Sequence, residues 1–188
     1  MTAEWVTAAA AAGTLVVIAA SALAALVQLR HMRTANQVAI LNSIEATLDS
    51  PDFLKALRYT LREHPAKYAD PLMRRRMLSR VTDPDFEHSR TVLNFWESVG
   101  SYVRNGMLDG HLVCEHLVTP IEINWQALAP LIYNLRVAFD DGALAENFEY
   151  LAVLATQWRE RHPRGNYPAG FARMPAPDIW PEAADVAP

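Results

Sequence analysis

The feature that most constrains the fold is an apolar stretch from Trp5 to Val27, in which only four residues are Thr, Ser or Gly. As a helix rising about 1.5 Å per residue, such a stretch reaches about 35 Å, enough to cross a hydrocarbon core of about 30 Å. We therefore predict a transmembrane helix over residues 5–29, preceded by a short external N-terminus at residues 1–4.

Two alternatives to a membrane span are a cleavable secretory signal and an Ala-rich core helix. A secretory signal begins with a positively charged segment, whereas residues 1–4 carry Glu4 and neither Lys nor Arg. A helix that is apolar all round needs protein on every side, and a position at the end of the chain provides little of it. The membrane span is favoured over both.

The charges that follow the apolar stretch predict its direction. Arg30 and Arg33 come directly after it, and the positive-inside rule places such residues on the cytoplasmic side. We expect the N-terminus outside and the rest of the chain in the cytoplasm, with Trp5 as an interfacial anchor. Arg30 and Arg33 are then expected to contact lipid headgroups of the bilayer.

Small residues recur four positions apart within the predicted span: Ala9 with Gly13, Ala20 with Ala24, and Ser21 with Ala25. Such spacing lets a second helix approach closely, which would allow a homodimer through the membrane helix. An Ala-rich segment also produces these pairs by chance, so both readings stay open.

The composition of the chain excludes several classes of protein. With 51% hydrophobic and 20% charged residues among 188, the sequence is too apolar to be disordered throughout and long enough for one ordinary domain. The formal net charge of −4 opposes general binding of nucleic acid. A single cysteine, Cys114, cannot form an intramolecular disulfide.

Helix starts are the clearest local signals in the remainder of the chain. Each pairs a residue able to cap free N–H groups with a proline, which is tolerated in a first turn: Ser50-Pro51, Asp70-Pro71, Asp83-Pro84 and Thr119-Pro120. The matching helix ends are predicted at His64-Pro65, Gly106, Asp141-Gly142 and His162-Pro163.

Apolar residues between these signals keep helical spacing and predict three core helices, over Val92–Val103, Ile121–Phe139 and Leu144–Trp158. Their aromatic residues are expected in the core: Phe95, Trp96, Trp125, Tyr133 and Trp158. No alternation typical of strands competes. We therefore predict an all-α fold with a small antiparallel helical bundle over residues 51–163.

The segments on either side of the bundle also have distinct patterns. No helix breaker lies between Gln28 and Asp49, so the membrane helix is expected to continue as a juxtamembrane stalk over residues 30–50. Residues 164–188 are rich in Pro and Ala without periodicity, which predicts a mostly disordered tail. The stalk residues expected to pack on the bundle are Ile40, Leu41, Ile44 and Leu48.

Known catalytic signatures are not found in the sequence. His111 and His116 flank Cys114 and Glu115, but a five-residue separation turns the two His about 140° apart on a helix, too far to hold one metal ion. The sequence has neither a Gly-rich phosphate loop nor a nucleophile elbow. We therefore expect no metal, no cofactor and no catalytic residue.

The only concentrated positive charge is formed by Arg74, Arg75, Arg76 and Arg80, with Lys67 nearby. In a membrane-tethered domain these side chains are candidates for contact with anionic headgroups, together with Arg30 and Arg33. A solvated helix face is the simpler alternative, and nucleic acid is less favoured than lipid because the chain is acidic.

A pair of opposite charges lies on two of the predicted core helices. Glu97 follows Trp96 and Arg136 follows Leu135, so each is expected to be half-buried and to need a partner. We predict that Glu97 and Arg136 lie close enough to interact, with Asn94 supplying a further hydrogen bond. The functional alternative is a ligand pocket lined by the same residues.

Scattered positions of this chain resemble a broad bacterial family of uncharacterised proteins. They are Asn94-Phe95-Trp96-Glu97, Gly106, Asp109, Trp125, Pro130, Arg136 and Asn147-Phe148-Glu149-Tyr150-Leu151. Members of that family carry an N-terminal membrane helix and a small helical domain of unknown function. The resemblance covers most of residues 5–160 and implies a bacterial inner-membrane protein, but it transfers no catalytic residue.

These observations favour a non-catalytic module that acts by contact. We expect an adaptor, scaffold or regulatory subunit at the inner membrane, with a protein partner that the sequence does not identify. The alternative is an enzyme or small-ligand sensor with a polar pocket around Glu97 and Arg136.

Overall fold

The computed structural model describes residues 3–79 and 84–175, and within these residues every regular element is helical. Seven helices follow one another: α1 (Ala3–Leu48), α2 (Pro51–Arg62), α3 (His64–Ala69), α4 (Pro71–Met77), α5 (Pro84–Arg104), α6 (Gly110–Phe139) and α7 (Glu146–Arg161). The all-α prediction is confirmed. The Trp5 side chain, predicted as an anchor, and Asp83, predicted as a cap, lie outside the described part.

α1 is a single helix of 46 residues that joins the apolar stretch to the predicted stalk without a break. It is long and apolar enough to cross a membrane, and its most apolar part is entirely exposed, unlike the core helix of a soluble protein. At its far end Ile44 is buried in the core, with Ile40 and Leu48 packed beside it and Leu41 half-buried. The predicted packing of the stalk is confirmed.

Helices α2 and α4 begin where their capping residues predict. The Ser50 hydroxyl accepts a hydrogen bond from the Phe53 N–H, and the Asp70 carboxylate accepts one from the Leu72 N–H. The His64-Pro65 signal is only partly right, because α2 ends at Arg62 but His64 and Pro65 open the first turn of α3. Proline is compatible with that first turn since its missing N–H is not needed there.

α5 runs antiparallel to the last part of α1. Arg33 bonds to Gly106, just after α5, whereas Ile44 and Thr47 lie by Phe95, about three turns earlier in α5. α6 then returns along α5, since its first residue, Gly110, lies against Val103. The connection between α5 and α6 is therefore at the end of the bundle nearest the apolar part of α1.

The helix start predicted at Thr119-Pro120 is wrong, because α6 is continuous over 30 residues and contains both Pro120 and Pro130. A proline inside a helix costs a backbone hydrogen bond. Buried residues on both sides of the first proline, Leu117 and Ile121, keep the helix in place against the core. Thr119 does not cap a helix here; its hydroxyl accepts a hydrogen bond from Arg159 of α7.

The core lies where α5, α6 and α7 meet and is filled by large side chains. Trp96 stacks on Phe148 with ring centroids 6.1 Å apart, and Trp125 meets the edge of Phe148 at 5.1 Å. Most predicted core positions are confirmed. The exceptions are Tyr133 and Phe139, which are exposed. Tyr133 lies on the outer side of α6, and Phe139 is its last residue.

A close approach of α5 and α7 in this core predicts a sensitive position. A β-carbon at Gly100 would overlap the carbonyl group of Asn147 in the first turn of α7, with the carbonyl carbon only 2.5 Å away. We expect Gly100→Ala to lower the free energy of unfolding by about 2–3 kcal/mol, although alanine favours a helix. Denaturation of the full-length protein in detergent, followed by far-ultraviolet circular dichroism, measures this change.

The matched control for that substitution is Gly142→Ala. Among the described residues, no atom beyond the two chain neighbours lies within 4 Å of a β-carbon at Gly142, and its backbone does not need glycine. We expect a change within about 0.5 kcal/mol. Equal effects of the two substitutions would contradict the close packing of α5 and α7.

Candidate functional site

The start of α7 lacks a cap of its own. The residue at its N-cap position is Ala145, which offers no side-chain acceptor and has φ of 57°. The first N–H groups of a helix have no partner within the helix, so they need an acceptor from elsewhere.

Glu97 of α5 supplies that acceptor. Its Oε2 accepts a hydrogen bond from the Phe148 N–H at 2.8 Å, and its Oε1 accepts one from the Asn147 side-chain amide at 2.6 Å, with a longer contact of 3.4 Å from the Asn147 N–H. A carboxylate at this position also interacts favourably with the positive end of the α7 dipole. Glu97 therefore acts as an N-cap contributed by another helix.

Two arginines hold the same turn from other directions. Arg104 of α5 donates to Glu146 and to the Asn147 side-chain oxygen, at 2.5 and 3.1 Å. Arg136 of α6 forms an ion pair with Glu149 at 2.7 Å and donates from Nε to the Leu144 carbonyl at 2.9 Å. We call this group the α7 joint: Glu97, Gly100, Arg104, Arg136 and residues 144–149.

The prediction that Glu97 and Arg136 interact with each other is wrong. In the described part of the chain no hydrogen bond or ion pair joins them, and each binds its own partner on the first turns of α7. The role predicted for Asn94 is also wrong, because Asn94 lies at an exposed position on α5. Asn147 takes the role predicted for Asn94, and the absence of a capping side chain before α7, at Ala145, is the sequence signal that could have indicated it.

Several of the positions that carry the family resemblance meet at this joint. Asn147, Phe148 and Glu149 each contact a residue of the other resembling segments: Glu97, Trp96 and Arg136 in that order. These residues bind one another across α5, α6 and α7. The packing of the three helices therefore explains why these residue types occur at these positions.

A second buried polar group links α3 to α5. His64 is 1% exposed and its Nδ1 lies 3.0 Å from the hydroxyl of Ser89, which is itself fully buried. Burial lowers the pKa of His64 from 6.5 to about 4, so the ring is neutral at physiological pH. A Ser–His contact with no exposed surface has no access to a substrate, and its role is structural.

Arg74, Arg75 and Arg76 lie far from the end of the bundle that is nearest the apolar part of α1. Tyr68 of α3 bonds to the Pro130 carbonyl of α6, and Arg74 lies 5.9 Å from the Tyr68 ring. Pro130 is about 30 Å along α6 from Gly110. This distance separates the α4 arginines from Arg30 and Arg33 and argues against one lipid-contact surface shared by all five.

The residues around Cys114 are used in packing. Burial raises the pKa of the Cys114 thiol to about 11, which leaves it unreactive. The His111 ring lies 5.7 Å from His162, and His162 stacks on Trp158 at 4.4 Å. Within residues 3–79 and 84–175, no three His, Cys, Asp or Glu side chains converge as metal ligands.

The first part of the predicted tail contacts the bundle. Residues 162–175 form no helix or strand, but Asn166 donates to Glu115 of α6 at 3.0 Å. A cavity of about 430 Å³ lies between this segment and the ends of α6 and α7. The rest of the predicted tail lies outside the described residues.

One face of α6 is exposed and uncharged. All of its exposed residues from 123 to 137 lie on this face: Ile123, Gln126, Pro130, Tyr133 and Val137. Their spacing of three, four or seven residues aligns them along the helix. We call these residues the α6 stripe. Val137 is 83% exposed.

The fold and the site together define an all-α protein with one long apolar helix and a helical bundle. In this bundle the start of α7 is bonded to side chains of α5 and α6. The family model described as Domain of unknown function (DUF4760) matches residues 15–158. The chain belongs to that family, and the expectation of an uncharacterised family is confirmed. No curated protein and no solved structure matches it.

The α7 joint predicts a strong effect of Glu97. Glu97→Ala removes the acceptor of the Phe148 N–H and of the Asn147 amide, and we expect a loss of about 2–3 kcal/mol in the free energy of unfolding. Glu97→Gln keeps one oxygen and should cost about 1 kcal/mol. Denaturation of the full-length protein in detergent, followed by Trp fluorescence, measures both values.

Glu160→Ala is the control, because Glu160 is exposed on the last turn of α7. A surface substitution of this kind changes stability by no more than about 0.5 kcal/mol. If Glu97→Ala were no more harmful than Glu160→Ala, the cap contributed by α5 would not stabilise α7.

Proposed function

We propose that this protein is a single-pass protein of the bacterial inner membrane with its N-terminus outside and its helical bundle in the cytoplasm. It acts there by contact, as an adaptor, scaffold or regulatory subunit of a protein partner. The length and apolar character of α1 support the anchor. Arg30 and Arg33 directly after the apolar stretch support the orientation.

The observation that carries the contact role is the α6 stripe. A soluble helix face is ordinarily rich in charge, whereas the exposed residues of α6 from Ile123 to Val137 contain none. Interfaces are depleted of charged residues at their centre and enriched in aromatic ones such as Tyr133. The stripe therefore has the composition of a surface that another protein covers.

The alternative, an enzyme or sensor with a pocket around Glu97 and Arg136, has less support. Both carboxylate oxygens of Glu97 accept hydrogen bonds from α7. Arg136 has two of its nitrogens bonded, and its ion pair with Glu149 is largely shielded from solvent on the arginine side. A ligand at these residues would have to displace the bonds that hold the α7 joint.

The contact role predicts a stoichiometric partner that binds the α6 stripe. The tagged full-length protein is extracted from its native membrane at native expression level in a mild detergent, and its companions are quantified by mass spectrometry. We expect one protein at about one copy per chain, reduced about hundredfold by the double substitution Ile123→Glu with Val137→Glu, because two charges would be buried in the interface.

Leu54→Glu is the control, because Leu54 is also an exposed apolar residue but lies on α2. The amount of partner protein that co-purifies with Leu54→Glu should equal the amount that co-purifies with the wild-type chain. A chain that purifies alone, or only as a homodimer, would contradict the contact role, as would equal loss in both variants.

A further inference from the structure

A groove lies between α1 and the connection from α5 to α6, and it belongs neither to the α7 joint nor to the α6 stripe. It has a volume of about 490 Å³, within the usual range of ligand pockets. One wall is α1 and the other is the backbone of Gly106 with the side chain of Met107. Its α1 residues share one face of the helix: Leu29, Met32, Arg33, Asn36, Ala39 and Ile40.

The second wall of the groove is preformed. The N–H groups of Met107 and Leu108 both donate to the Tyr102 carbonyl, at 2.9 and 3.1 Å, which closes the end of α5. Gly106 has φ of 68°, a conformation that favours glycine, and its carbonyl accepts a hydrogen bond from Arg33 across the groove at 3.4 Å. Met107 is 45% exposed beside this bond.

The position of the groove on α1 places its upper end at the membrane surface. Leu29 is two residues beyond the apolar stretch and Arg33 is six, so they lie about 3 and 9 Å past Val27 along the helix. The headgroup layer of a bilayer is about 5–8 Å thick on each side. The groove therefore opens at the level of the cytoplasmic headgroups, given the membrane anchor proposed above.

The order of side chains along the groove matches a phospholipid of the cytoplasmic leaflet. The apolar Leu29 and Met32 come first, at the membrane end, followed by the guanidinium of Arg33 and the amide of Asn36. In a lipid of that leaflet the acyl chains point to the membrane and the phosphate lies below them. One bond to Gly106 leaves Arg33 further N–H groups for a phosphate.

We propose that this groove, lined by Leu29, Met32, Arg33, Asn36 and Met107, binds one anionic phospholipid of the cytoplasmic leaflet, with its phosphate on Arg33. The inference rests on the proposed membrane anchor. The bound lipid fills the space between the helix and the bundle, so it joins α1 to the α5–α6 connection at the membrane surface.

Lipid retention by the full-length chain tests this site. The protein is reconstituted in nanodiscs that contain phosphatidylglycerol and phosphatidylcholine, then transferred to detergent, and the lipids that stay bound are quantified by mass spectrometry. We expect about one phosphatidylglycerol per chain. Arg33→Gln should lower this amount about tenfold or more, because a charge-assisted contact to the phosphate is lost.

Arg30→Gln is the matched control for the charge. It removes the same charge one turn away on the same helix, but Arg30 does not line the groove. Retention should stay within about twofold of the wild-type value. Equal losses in the two arginine variants would show general attraction of anionic lipid to the helix and would overturn a discrete site.

A second pair of variants tests the groove without a change of charge. Met32→Trp fills its membrane end and should also reduce retention, whereas Val38→Trp adds the same side chain on the opposite face of α1. Wild-type retention in Met32→Trp, or a change in its oligomeric state alone, would contradict a lipid in the groove and indicate that a second chain covers it.

Flotation with vesicles of phosphatidylcholine alone separates failure of this site from failure of the anchor. If the chain floats with these vesicles but retains no phosphatidylglycerol, the anchor stands and the lipid site is wrong. If it does not float with vesicles of either composition, the anchor fails and the lipid site fails with it.

Discussion

The unbroken helix α1 is the constraint on which the rest of the structure depends. One end of it is apolar on all sides and the other end buries Ile44 in the core of the bundle. A helix without Pro or a break has no hinge between its two ends. The orientation of the bundle is therefore tied to the orientation of the apolar part. Contacts of Arg33 with Gly106 and of Ile40 with the core add to this restraint. The bundle therefore presents fixed surfaces at fixed distances from the end of the apolar stretch.

The α7 joint solves a second problem, which is how a helix begins without a cap. Ala145 provides no acceptor, and Glu97 on α5 meets the free N–H groups at the start of α7. The arrangement requires the two helices to approach closely, and Gly100 permits that approach because a side chain there would overlap Asn147. The charged residues of the bundle core thus have a structural task. The surfaces proposed above to contact other molecules are the exposed faces of α6 and α1.

Local patterns in the sequence were sufficient for much of this fold. The helix over the apolar stretch, the caps at Ser50 and Asp70, and the packing of Ile40, Ile44 and Leu48 depend on neighbouring residues, and these were predicted correctly. The errors arose where tertiary packing overrides a local signal. Pro120 lies within α6 because buried residues on both sides hold the helix. Glu97 and Arg136 each needed a partner as predicted, but the partners lie about 50 and 13 residues along the chain, and spacing alone does not identify them.

The most direct test of a bundle held against the membrane is the depth of Met107. A nitroxide label on Met107→Cys in nanodiscs is compared with labels on Leu26→Cys and Val137→Cys, using oxygen and a water-soluble nickel complex as collision partners. Cys114 is buried and does not compete for the label. We expect residue 107 to lie at the depth of the headgroups, between the depths of the two reference labels. A label at residue 107 that is as accessible to nickel as the label at residue 137 would contradict it.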